Sequence, residues 1–179
     1  MAPNGCVAQS TTKVPAVNVF IWLHDTSFGT AVRESIWIYP ALEIVHIMGI
    51  ALLVGAIAMT DLRLLGLSRQ LPVTLTARHL LPWTWVGFAL VAVSGLSMFV
   101  GFATDYYVNT AFRIKLVLIV VAGVNAAFFH TRVYHGVATW NENTMPPIAA
   151  RVFASLSIML WFGTIAAGRL IAYTGSGKD

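Results

Sequence analysis

Tyr39, Glu43 and His46 follow one another at spacings of four and three residues, which sets all three on one face of a helix. An imidazole with a carboxylate one turn away can serve as an oriented metal ligand or a proton relay. A second apolar run holds Lys115, Asn125 and His130. Lys115 and His130 are separated by about 22 Å of helical rise and cannot share one metal ion. His46 and His130 differ in depth by roughly 15 Å if their helices stand near the membrane normal, so each imidazole is a candidate metal ligand at its own site. His46 and Lys115 are matched in depth, whereas His79, just ahead of Pro82, could approach His130 or His135.

Haem is the group this set suits, because membrane four-helix bundles hold it between facing helices with His as axial ligand. His46 is then the principal ligand, Lys115 or another histidine the second ligand or a propionate anchor, and Glu43 the tuning carboxylate. Arg33, Arg113 and Arg169 gather at the same end and could pair with propionates. His130 could ligate a second haem or contact a quinone. The plainer readings are that Arg113 and Lys115 snorkel to the surface and that the glycines of these runs serve close helix packing.

The elements that must position these residues are membrane spans. Of 179 residues, 58% are hydrophobic and 10% charged, against about a quarter charged in soluble domains. The net charge of +4 is scattered between apolar runs, so membrane flanks account for it and no nucleic-acid partner is implied. Cys6 is the only cysteine, which excludes a disulfide or cysteine zinc site within one chain. The first residues lack a secretory-signal pattern, so the spans themselves are expected to direct insertion.

Spanning about 30 Å of hydrocarbon takes roughly 20 apolar residues. Four segments qualify, at about Ile36–Thr60, Leu81–Phe102 (with Pro82 in its first turn), Phe112–Thr131 and Ala149–Tyr173. Both termini and the loop 103–111 then lie on one side, termed side A, and loops 61–80 and 132–147 on side B. The fold expected is all-α: an integral membrane four-helix bundle over 36–173, preceded by an interfacial amphipathic segment at 17–35. Asp25 or Thr26 is the candidate cap within that segment. Flexible tails are expected at 1–16 and 174–179. With Arg113, Lys115 and Arg169 inside the spans, the remaining basic residues bias side B toward the cytoplasm.

The stretch RESIWIYPALEIVHIMGIALLVGAIAMTDLRLLGL, followed by LLPWTWVGFAL, RIKLVLIVVAGVNAAFFH and WFGTIAAGRLIAY, resembles a family of small bacterial inner-membrane proteins classed as a domain of unknown function. More distantly, the four-span plan is similar to HemJ-type protoporphyrinogen oxidases and CopD-type copper-resistance membrane proteins. The HemJ-like features are His46 in HIMGIALLVG and Lys115 in RIKLVLIVV; the resemblance implies bound haem b and a functional role for both residues. The chain has DLRLLGLSR where HemJ proteins carry an LPRLFVYH-like pattern, which favours haem binding over the oxidase activity.

The leading expectation is therefore a membrane-embedded protein with one or two haem b groups, carrying electrons between a quinone or dehydrogenase and another redox protein. A HemJ-like porphyrinogen oxidase is the enzymatic alternative. A cofactor-free accessory or anchoring subunit is the non-catalytic one. The expected setting is the bacterial inner membrane, with the chain as a homo-oligomer or a subunit of a larger complex.

Overall fold

A computed structural model describes the backbone of residues 15–174 and the side chains from residue 19 onward. Among these residues every regular element is helical. The tails expected at 1–16 and 174–179, with Cys6, fall outside the described residues apart from Pro15, Ala16 and Thr174, which are helical.

The interfacial segment is two short helices, α1 (Pro15–His24) and α2 (Ser27–Glu34). Thr26 separates them: its hydroxyl accepts from the Gly29 amide at 3.1 Å, satisfying a donor that the first turn of α2 would leave free. Arg33 fastens this corner to the bundle. Its guanidinium donates to the His24 carbonyl at 2.6 Å and to the Gly101 carbonyl at 2.9 Å.

Four helices are long and apolar enough to cross a membrane. These are α3 (Ile38–Leu64), α4 (Val73–Gly101), α6 (Thr110–Phe128) and α7 (Ile148–Thr174), with the short α5 (Ala103–Val108) in the side-A connection. The third crossing continues past α6 through a π turn, Phe129–Val133, and a 3₁₀ turn, Tyr134–Thr139. The boundaries expected on side A hold to within two residues, as does the side-B start of the fourth span; the other side-B boundaries do not.

The first span continues beyond Thr60 because Asp61 and Arg63 are buried, at 6% and 3% exposure, with partners inside the protein rather than in water. The second begins eight residues before Leu81 and carries Pro82 in its interior. Pro82 lacks an N–H, so the helix passes through it with one hydrogen bond missing. His79, expected in a loop, is consequently helical.

The closest packing joins α3 to α4. A Cβ placed on Gly87 would lie 2.6 Å from the Leu53 backbone nitrogen, and one on Gly49 would lie 3.0 Å from Val91 and Leu90, so these glycines let two backbones touch. The second tight pair is α6 with α7, and contact between α3 and α7 joins the two hairpins. The helices thus stand in the row α4–α3–α7–α6, and α4 does not pack along the length of α6.

The two ends of the α4–α6 gap are nevertheless closed. On side A, Phe99 of α4 stacks on Phe112 of α6 at 5.4 Å, with Tyr106 stacked on Phe112 at the same distance. On side B, Asn141 accepts from the backbone amides of Val73 and Thr74, both at 2.9 Å. Beneath that contact Leu64, Val73, Phe129, Trp140, Ala150 and Ala154 form a buried apolar cluster. Between these closures the gap is a window. Elsewhere large apolar side chains such as Ile47, Val93, Val120 and Met159 point outward, as expected where lipid replaces water.

Candidate functional site in the bundle interior

The row of helices encloses a cavity of about 550 Å³, lined by residues of all four spans. Its wall is mainly apolar and rich in rings: Trp85 and Phe88 from α4, Phe129 and Tyr134 from the π and 3₁₀ turns, and Phe153 and Trp161 from α7. Trp85 and Phe88 are also 65% and 45% exposed on the outer surface.

A few polar groups interrupt this wall, and each has a defined state. Asp61 of α3 receives a hydrogen bond from the Ser157 hydroxyl of α7, while its Oδ2 has no partner. Asn125 of α6 is 7% exposed and donates from Nδ2 to the Phe153 carbonyl at 3.1 Å. A carbonyl only accepts, so the amide cannot be turned round, and Oδ1 faces away without a partner. The hydroxyls of Thr60 and Thr84 donate to the carbonyls four residues earlier, both at 3.0 Å. His130 follows the same logic: its Nδ1 lies 3.0 Å from the Ala126 carbonyl and must carry a proton, so in the neutral ring the lone pair is on Nε2.

A second polar group occupies the side-A half. His46 Nδ1 lies 2.9 Å from Ser94 Oγ, and Ser94 Oγ donates its only hydrogen to the Leu90 carbonyl at 2.5 Å. His46 is therefore the donor and keeps a free lone pair on Nε2. Gly95 leaves room for the ring, since a Cβ there would sit 3.1 Å from His46 Cε1. Lys115 of α6 lies close enough for its charge to act on His46, and it packs against Gly168 of α7. Nearer the surface, Tyr39 hydrogen-bonds Tyr106 of α5. Burial, then Tyr39, then the negative charges of Asp105 and Glu43 push the Tyr106 phenol well above its ordinary range, so it stays neutral.

The candidate residues therefore separate. Lys115 lies within electrostatic reach of His46, in keeping with their matched depths, and no hydrogen bond joins the two. Glu43 is exposed and acts on Tyr106. Arg113 donates twice to the Tyr107 carbonyl and lies over its ring, and Arg169 reaches Tyr173 one turn along its own helix. Arg33 is engaged by backbone carbonyls. His79 is exposed and faces the Leu75 carbonyl of its own helix. His130 lines the cavity and His46 does not, so the structure keeps the two imidazoles apart. Among the described residues, no group of three or more His, Cys, Asp or Glu side chains is placed to hold a metal ion.

A family model described as a family of unknown function, DUF6644, matches residues 19–174. The chain belongs to this family. No curated protein and no solved structure matches it. The DUF6644 match runs from α1 to the last residue of α7 and so contains both the His46 group and the whole cavity.

Asp61 is the functional candidate that sequence reasoning missed, since it was assigned to the loop after the first span. The signal was present. The face through Tyr39, Glu43, His46, Ile50, Leu53 and Ile57 reaches Asp61 at one further step of four.

Proposed function

We propose that this protein binds a lipid-soluble small molecule within the bilayer, in the cavity between its two helical hairpins. The cavity itself carries this reading: it lies at membrane depth, falls within the range of about 300–1,000 Å³ typical of ligand sites, and sets a few polar groups in an apolar, ring-rich wall. The window between α4 and α6 gives access from the lipid. In a bacterial inner membrane with side B toward the cytoplasm, the polar end of the cavity would lie in the cytoplasmic half.

Trp85 and Trp161 supply the readout. Detergent-solubilised protein titrated with dansyl-labelled alkyl compounds should show saturable energy transfer from tryptophan to dansyl. Gly123→Phe should abolish it. Gly123 lines the cavity, a Cβ there meets nothing within 4 Å, and replacing a helical glycine favours the helix. Transfer that rises without saturation, equally in both proteins, is partition into detergent and overturns the reading.

The fixed tautomer of His46 favours a second reading, a b-type haem on the side-A half in a protein that carries electrons between a quinone or dehydrogenase and another redox protein. His46 Nε2 would ligate iron, Ser94 would hold the ring, and Lys115 would face a propionate. Haem supplies one-electron chemistry when bound. The cavity suits haem less well: among the described residues lining it there is one imidazole and no Lys or Arg to meet propionates. A Soret band in purified protein that His46→Ala removes supports this reading; a colourless protein that takes up no haem defeats it. Protoporphyrin formation in a porphyrinogen-oxidase deletion strain would favour the HemJ-like activity instead. A stable co-purifying partner, without ligand or chromophore, would favour an anchoring subunit.

A further inference from the structure

We infer that the ligand of the cavity is an organic cation, a protonated amine on an apolar body, whose ammonium group sits against Asp61 and Asn125. This rests on the cavity being a ligand site. Among the described residues three buried side-chain atoms lack hydrogen-bond partners, and two of them, Asp61 Oδ2 and Asn125 Oδ1, belong to residues lining this cavity. Both atoms accept and neither donates while Asp61 is ionised. Each belongs to a residue more than nine-tenths buried, where an unmet polar atom is costly.

The neighbouring groups extend the pattern. Thr60, Thr84 and His130 have committed their hydrogens to backbone carbonyls, and Ser157 has committed its own to Asp61. The donors left in the wall are the ring groups Trp85, Trp161 and Tyr134. A ligand bearing acceptors, such as a carboxylate or phosphate, would meet lone pairs. A ligand bearing N–H donors would suit either orphaned oxygen.

Charge then selects among donors. No Lys or Arg is among the described lining residues, so nothing in the wall balances an Asp61 carboxylate. Arg63, two residues on, does not do so: its three hydrogen bonds go to the Leu71, Arg69 and Asn141 carbonyls on the side-B connections. An ammonium supplies both the missing charge and the missing donors, and the aromatic faces of the wall attract it further.

Three matched dansyl probes separate these contributions. One ends in a primary amine, carrying charge and donors; one in a trimethylammonium, carrying charge alone; one in a hydroxyl, carrying a donor alone. With full-length protein in detergent near neutral pH, the amine should bind most tightly and the alcohol about tenfold or more weaker. Asp61→Asn should weaken the amine to the level of the alcohol and leave the alcohol unchanged. That variant keeps the shape of the side chain and can carry no buried charge, so the fold should tolerate it. Asn125→Ala is the independent check: it should weaken the amine several-fold and spare the trimethylammonium probe. Equal binding of amine and alcohol, insensitive to Asp61→Asn yet lost in Gly123→Phe, overturns the cation while leaving the cavity as the site. Binding insensitive to Gly123→Phe overturns both.

Discussion

The two halves of this bundle treat their buried polar groups in opposite ways. Toward side A, His46, Ser94, Tyr39 and Tyr106 are tied to one another or to backbone carbonyls, and rings stack closely over them. Toward side B, Asp61 and Asn125 are each fixed by one hydrogen bond and keep a second, buried oxygen without a partner. One half is largely tied off, with only the His46 Nε2 lone pair left over, and the other leaves two buried oxygens for something to meet. A polar residue inside a membrane is thus not informative by type alone; the count of its unmet atoms is what separates a packed group from a binding group.

Substitutions can break this comparison or sharpen it. The largest effect should come from Gly87→Leu, which drives a side chain into the α3 backbone at Leu53 and disturbs both halves at once. A loss of at least about 3 kcal/mol is expected, read as failure to purify a monodisperse protein. Arg63→Ala should harm side B alone. It removes three hydrogen bonds that hold the connections beneath the cavity, for about 2–3 kcal/mol, seen as a lower midpoint in thermal or denaturant unfolding.

Gly123→Phe should leave stability nearly unchanged while weakening probe binding about tenfold or more, equivalent to about 1.4 kcal/mol. Ser94→Ala should touch side A alone. It removes the acceptor of His46 Nδ1 and should cost about 1 kcal/mol, with cavity binding intact. If the same change also alters cavity binding, the two halves are coupled and the separation drawn between them fails.

Much of the architecture was legible because lipid demands long apolar helices, and length and composition reveal those directly. The Thr26 cap and the matched depth of His46 and Lys115 were legible for local reasons, a capping residue type and a position along the span. The side-B ends of the first three spans were not. Asp61 and Arg63 look like loop residues until their buried partners are known, and those partners, Ser157 and the Asn141 carbonyl, lie 96 and 78 residues away. Pro82 has the residue type of a helix start, but α4 runs through it. Asn125 was visible between Lys115 and His130, yet its importance rests on which amide atom faces Phe153. The cavity rests on the order of helices in the row, which no periodicity encodes.

The length of the spans carries a consequence of its own. With 27 to 30 residues each, they extend about 40–45 Å, against about 30 Å of hydrocarbon. Tilt absorbs part of the surplus, and the helix ends stand among headgroups. Asp61 is three residues from the end of α3, about 5 Å along the axis, so its carboxyl lies near the side-B border of the hydrocarbon. A molecule in the window would therefore lie with its apolar body among acyl chains and its polar end within a few ångströms of bulk water.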